Sequence, residues 1–188
     1  YVRDQVNSCT RVIIICNPHN PTGSVYSEKS LKIIADLARE HDLIVIADEA
    51  YERLVYDKHK HISLASLPGM RERTLTVQTT SKVYNMGGWR VGWIMAPENI
   101  IDKIVCIQSN AVSCTASFSQ WGAAAALSQP IGMGDQLIKD LIFDLSKRRN
   151  LMLERLRALP GVTCEQALGG FFVFPDVTEY GLSSKEML

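Results

Sequence analysis

No uninterrupted hydrophobic run in these 188 residues approaches the roughly 18–20 residues that a membrane-spanning helix requires. Runs such as Val12 to Cys16 and Leu43 to Ala47 are only strand-sized. Nor is there an excess of charge of either sign. Twenty basic residues face 20 acidic ones, and the formal net charge is zero. That removes the electrostatic case for a nucleic-acid or anionic-membrane partner. Cysteine is sparse and scattered: Cys9, Cys16, Cys106, Cys114 and Cys164 form no C-x-x-C pair and are odd in number. This argues against a disulfide framework and against a zinc site, and it fits a reducing cytoplasm. His41, His59 and His61 are not spaced like a metal cluster and read as ordinary surface histidines, so no metal is expected. Internal repeats and low-complexity segments are lacking as well. The chain starts at Tyr1 without a signal-like segment, and it reads as a piece of something longer.

What remains is ordinary globular material, 46% hydrophobic and 21% charged. That suffices for one domain and part of a second, acting on small molecules.

The elements follow from pattern. Arg11 to Cys16 is a continuous β-branched run that stops at Asn17-Pro18, as suits a central parallel strand. A loop with two prolines and a glycine follows. Ser27 is a good helix N-cap, with Glu28 in the first turn. Leu31, Ile34, Ala35 and Ala38 then repeat at helical spacing, which predicts a helix over 28–41. Leu43 to Ala47 is a second buried strand ending at Asp48-Glu49, so a right-handed strand–helix–strand unit is expected. Thr74 to Thr79 is a third strand and Arg90 to Ala96 a fourth. The link between them is too short and unpatterned for a parallel crossover, so the fourth should run antiparallel. Helices are expected over 98–110, 116–128 and 134–158, the last ending at Pro160-Gly161. Phe171-Phe172-Val173-Phe174 reads as a strand of a second, smaller domain, and the last eight residues as the start of a helix.

Three polar features stand at the carboxyl ends of three of these strands. They are Asn17-Pro18-His19-Asn20-Pro21-Thr22-Gly23, then Asp48-Glu49-Ala50-Tyr51, then Thr79-Thr80-Ser81-Lys82 with Arg90 further on. Ligands of open α/β sheets bind outside the carboxyl ends of the strands. Neighbouring parallel strands bring Asn20, Asp48, Tyr51 and Lys82 together there.

N-P-x-N-P-T-G, D-E-x-Y and S-K followed by G-W-R-x-G, in this order, resemble the class I/II aminotransferases, which are fold-type I pyridoxal-phosphate enzymes. Each motif is weak alone; three in register are specific, and the resemblance covers essentially the whole chain. It implies an α/β fold with a three-layer, mostly parallel sheet. Residues 1–130 would be part of the large cofactor-binding domain. Residues 131–188 would be a linking helix and the start of a small α/β domain.

The resemblance also assigns roles. Lys82 falls at the Schiff-base lysine, the catalytic residue, whose amine must be neutral to attack an aldehyde. Asp48 falls at the carboxylate that pairs with the pyridine nitrogen and keeps the ring an electron sink. A unit-charge pair at about 3 Å and an effective dielectric of about 20 is worth about 5 kcal/mol before desolvation. Glu49 is the solvent-facing or supporting residue of that pair of acids. Tyr51 and Asn20 match the pair that hydrogen-bonds the cofactor's phenolic oxygen. Arg90 matches the phosphate-binding arginine, with the hydroxyls of Thr79 and Ser81 flanking the same phosphate. Pro18, Pro21 and Gly23 shape the loop. Gly87 and Gly88 allow close backbone approach, and Trp89 and Trp93 are packing residues.

The implied reaction moves an amino group between an amino acid and a 2-oxo acid, with freed Lys82 carrying the proton. A carbon–sulfur β-lyase on the same scaffold is the alternative, because the cofactor does the shared chemistry. A non-catalytic fragment is the other. The resemblance further implies a homodimer in the full-length protein, and a 188-residue piece that is inactive alone. The particular substrate is not readable from these residues.

Overall fold

The computed structural model describes residues 1–128 and 133–187. A short helix, α1 (Val2–Gln5), precedes β1 (Val12–Cys16), α2 (Glu28–Glu40) and β2 (Ile44–Asp48). Then come β3 (Thr74–Thr79), β4 (Gly92–Met95), α3 (Glu98–Ala111), α4 (Ser117–Leu127) and α5 (Met133–Arg157). Two short strands, β5 (Thr163–Cys164) and β6 (Pro175–Asp176), and a final turn of helix, α6 (Ser184–Met187), complete the chain. Among the described residues no helix is long and apolar enough to cross a membrane.

The main sheet has the order β1-β2-β3-β4. β1, β2 and β3 are parallel, with Cys16 beside Asp48 and Asp48 beside Val77. β4 is antiparallel to β3, as the short link required, and sets Gly92 beside Thr79. A β-carbon on Gly92 would fall 2.8 Å from the Gln78 carbonyl oxygen, so close pairing of β4 at this point needs glycine. This is the α/β fold with a mixed, mostly parallel sheet that the sequence pattern predicts.

Two cores organise it. Leu31, Ile34, Ala35 and Ala38 of α2 pack with Ile15, Leu43, Val45, Ala47, Leu64 and Met70, so the helical stripe meets one face of the sheet. The Ser27 hydroxyl accepts from the Ser30 amide at 3.1 Å and caps α2, a contact worth about 1 kcal/mol. The second core holds Ala50, Tyr51, Leu54, Val83 and Ile138, flanked by Leu141, Leu145 and Phe172. It ties α5 to the turns that follow β2 and β3.

Phe171 to Phe174 is not a strand. Gly170 and Phe171 lie in a turn, and the antiparallel pairing falls on Thr163–Cys164 with Pro175–Asp176 instead. An apolar run cannot by itself separate a strand from a buried turn, and the Gly169-Gly170 pair before it decides for the turn. The domain boundary expected at 130/131 lies outside the described residues.

Candidate active site

The site is assembled at the carboxyl edge of the parallel strands, where three chain segments leave the sheet together. After β1, the Asn17 amide donates to the Asp48 carbonyl at 2.9 Å, and the chain turns into the Pro18–Gly23 loop. Gly23 closes that loop with φ +70°, where a β-carbon would lie 2.5 Å from Ala167 Cβ; glycine is obligatory here. After β2, Asp48 Oδ1 accepts from the Ala50 amide at 3.1 Å, a local turn that brings Tyr51 round to face the same edge. After β3, the Thr80–Met86 loop carries Lys82. Arg90, in the left-handed conformation at φ 56°, redirects the chain into β4.

Of the residues expected from sequence, Asn20 and Lys82 both meet Tyr51, and Thr79 and Ser81 form a second pair. Asn20 Nδ2 donates to the Tyr51 hydroxyl at 3.5 Å. Lys82 Nζ lies 5.5 Å from the centre of the Tyr51 ring. Tyr51 is buried, which pushes its phenol above 10; the neighbouring Cys16 and Asp48 push it further, and the Asn20 bond pulls it back. The same set of effects places Asp48 and Cys16 within electrostatic reach of Tyr51. The Thr79 hydroxyl donates to the Val91 carbonyl at 2.8 Å and lies 2.8 Å from Ser81 Oγ. Arg90 precedes Val91, so its backbone adjoins the carbonyl that holds the Thr79 hydroxyl. Arg90 itself is exposed, and its Nη1 donates to the Gly87 carbonyl at 2.9 Å.

Some expectations need correction. His61 is not a surface histidine. Its side chain is 10% exposed and pairs through Nε2 with Glu49 Oε2 at 3.1 Å. Its Nδ1 faces Asn17 Nδ2 at 3.4 Å, and Asn17 Oδ1 accepts from the Tyr26 amide at 3.0 Å. Glu49 is therefore not a solvent-facing acid: it is buried, and Oε1 accepts from the Leu64 amide at 3.1 Å. Glu49, His61 and Asn17 form a polar brace behind the first two strand ends. Glu52 stands beside this brace, and its carboxyl is raised by burial, with His61 pulling it down and Glu49 pushing it up. Ligating atoms of Glu49, Glu52 and His61 lie within 4.8 Å of one another. Both Glu49 oxygens are already engaged, by the Leu64 amide and by His61. Gly87 and Gly88 do not mediate a close approach: a β-carbon on Gly88 meets open space, and on Gly87 only the Ser81 carbonyl at 4.0 Å. Trp89 does pack, its ring standing where a β-carbon on Gly122 would be. His41 and His59 are exposed.

Sequence reasoning missed Phe171 and Phe172. Their rings meet Tyr51 edge-on at 5.4 and 5.5 Å, and Lys82 Nζ lies 5.4 Å from the centre of Phe171. The signal was present in Gly169-Gly170. A β-carbon on Gly169 would strike Pro18 at 2.8 Å, so this glycine lets the distant segment dock on the Asn17–Gly23 loop.

This cluster of amine, phenol, amide and carboxylate stands at the carboxyl edge of a mixed, mostly parallel sheet, the position at which α/β proteins bind small ligands. The sequence model of the family "Aminotransferase class I and II" matches residues 2–188, and the chain belongs to that family. It is 43% identical over 185 residues to an aspartate aminotransferase of Pyrococcus abyssi, covering 98% of this chain and 47% of that protein. It is 43% identical over 177 residues to aromatic-amino-acid aminotransferase 2 of Thermococcus litoralis, covering 94% and 45%. The crystal structure of an aromatic aminotransferase from Pyrococcus horikoshii superposes with a TM-score of 0.93 at 40% identity, covering 99% of this chain and 49% of that one. The chain thus spans about half the length of the curated relatives it matches.

Proposed function

We propose that this chain carries the cofactor-holding part of a pyridoxal-phosphate-dependent aminotransferase, and that Lys82 is the residue to which the cofactor is joined. The observation that carries the reading is the position of the Lys82 amine against Tyr51, whose hydroxyl is bonded to Asn20. The donor set fits the group. Arg90 with the hydroxyls of Thr79 and Ser81 suits a phosphate dianion at one end. The Asp48 carboxylate suits a protonated ring nitrogen, and Tyr51 with Asn20 suits an ionised phenolic oxygen. Bound there, the cofactor would supply an aldehyde for amines and a ring that accepts the electron pair left at Cα.

The chain's own groups do the remainder. The Lys82 amine would take a proton from a substrate Cα and return one. Tyr51 keeps its proton near neutrality, because burial and the neighbouring acid hold the phenol above 10, so it can donate a hydrogen bond. Phe171 stands beside the amine, and Phe172 packs with Phe171 against the Tyr51 ring.

The wider reading is of an amino acid and a 2-oxo acid as substrates, in a cytoplasmic homodimer. Residues 1–130 would belong to a large domain and 131–188 to a linking helix and the start of a small one. The exposed Phe118 and Trp121 on α4 support a protein partner surface, and the even charge balance supports small-molecule rather than nucleic-acid chemistry. The test is an assay of the full-length protein for 2-oxo acid production from amino-acid donors, with ammonia and sulfide measured alongside. Stoichiometric amino transfer that is lost in Lys82→Ala is expected. Ammonia or sulfide release without amino transfer, or normal turnover of Lys82→Ala, would overturn the reading.

A further inference from the structure

Arg149 stands on α5, outside the cluster described above, yet its side chain is only 5% exposed. A buried guanidinium is tolerated only where its donors are matched, since desolvation otherwise costs several kcal/mol. Here they are. Nη1 and Nη2 grip the two oxygens of Asp57 at 3.0 and 3.2 Å. Nη1 also donates to the Ala167 carbonyl at 3.0 Å, and Nε donates to Asn150 Oδ1 at 3.0 Å. The guanidinium carbon lies 4.6 Å from the centre of the Tyr56 ring.

These partners come from different parts of the chain. Tyr56 and Asp57 follow the turn that presents Tyr51. Ala167 opens a strap, Ala167–Gly170, that is stitched across the site. The Leu168 and Gly169 amides donate to the Gly23 carbonyl at 2.8 and 2.9 Å, and the Gly170 amide donates to Leu54 at 2.8 Å. Tyr56 donates its amide to the Leu168 carbonyl at 2.9 Å and its hydroxyl to the Gly170 carbonyl. The next two residues are Phe171 and Phe172, the rings against Tyr51 and Lys82. The strap belongs to no named strand and is secured by individual contacts. Arg149 makes contacts to both sides of the seam.

We propose that Arg149 is a positioning residue for Lys82: it locks the Ala167–Gly170 strap to the Tyr56–Asp57 turn and so holds Phe171 against the Lys82 amine. Its significance for the reaction rests on the proposed role of Lys82. The geometry itself does not.

The experiment uses the full chain, with no cofactor added, and compares the unaltered protein with Arg149→Met and Arg149→Lys. Amide hydrogen exchange is followed at Leu168, Gly169 and Gly170 and, as reference, in β2 and β3. Acylation of Lys82 by dilute acetic anhydride is measured by mass spectrometry relative to Lys29 on α2. In Arg149→Met the strap amides are expected to exchange at least about tenfold faster, the equivalent of about 1.4 kcal/mol of local opening, with β2 and β3 unchanged. Lys82 acylation should rise several-fold against Lys29. Arg149→Lys keeps the charge but loses the two-pronged grip, and should shift both readouts in the same direction by less. It also supplies the result if the methionine variant does not fold. Unchanged strap exchange and unchanged Lys82 labelling would overturn the proposal. So would loss of protection in β2 and β3 in step with the strap, which is the mark of a purely structural arginine. A failure of the unaltered protein to take up pyridoxal phosphate would count against the role of Lys82 while leaving these cofactor-free results as they stand.

Discussion

Asn20 Nδ2 donates to the Tyr51 hydroxyl at 3.5 Å and so joins the loop after β1 to the turn after β2. The bond works against the other influences on that phenol. Burial, Cys16 and Asp48 raise it, and Asn20 lowers it. Ultraviolet difference titration should place Tyr51 above 10 in the folded protein, and Asn20→Ala should move it higher still. The linkage has a definite sign. A folded value above the unfolded one means a contribution present below pH 10 and lost as pH rises through the folded value. Tyr51→Phe should therefore flatten the alkaline limb of the stability profile. A Tyr51 midpoint below 10, or a fall on Asn20→Ala, would contradict this account.

Gly23 is where the first motif and the distant strap touch. Alanine there would have to hold φ +70° and place its β-carbon 2.5 Å from Ala167 Cβ. The backbone cost alone is of order 1–3 kcal/mol, and the overlap adds to it. Thermal unfolding of Gly23→Ala should show a clear loss of stability, whereas Gly88→Ala, which meets open space, should be close to neutral.

The brace behind the site predicts that His61 matters for stability. His61→Ala would leave Glu49 Oε2 without its partner in a buried position. Such a loss costs about 1–3 kcal/mol, to be read by chemical denaturation. A change within the error of the measurement would return His61 to the status of a surface residue.

Asp57 is held below the usual carboxylate range, first by its hydrogen bonds from Arg149. The contribution is fully present above the ordinary value of 3.8 and is lost as pH falls through the lower folded value. Asp57→Asn should make the acid limb of the unfolding profile shallower. The effect should be small, because the Asp57 side chain is 46% exposed and the pair is screened by solvent.

The parts of this molecule that could be read in advance are those set by local pattern. β1 and β2 show plainly as apolar, β-branched runs, although β1 is an edge of the described sheet, not the central strand expected, and leaves Val12 and Ile14 exposed on one face. α2 shows its buried stripe and its Ser27 cap as plainly. The short link after Lys82 made β4 antiparallel on chain length alone. Asn20, Asp48, Tyr51 and Lys82 were legible because each follows directly from a strand end. What was not legible depends on partners far away in sequence. Arg149 meets Asp57 across 92 positions, and nothing near either residue announces the pair. His61 looked like part of a polar loop, Lys58-His59-Lys60-His61, until Glu49 turned out to face it. Phe171 to Phe174 has the composition of a strand, but the rings of its first two residues stand against Tyr51.

The central claim is that Lys82 is the amine that takes the cofactor. The most direct measurement is to incubate the full-length protein with pyridoxal phosphate, reduce with borohydride, digest, and locate the added mass. The account predicts stoichiometric labelling of Lys82, with Lys82→Ala unlabelled under the same conditions. Labelling spread over surface lysines such as Lys29 and Lys60, or unchanged in Lys82→Ala, would contradict it.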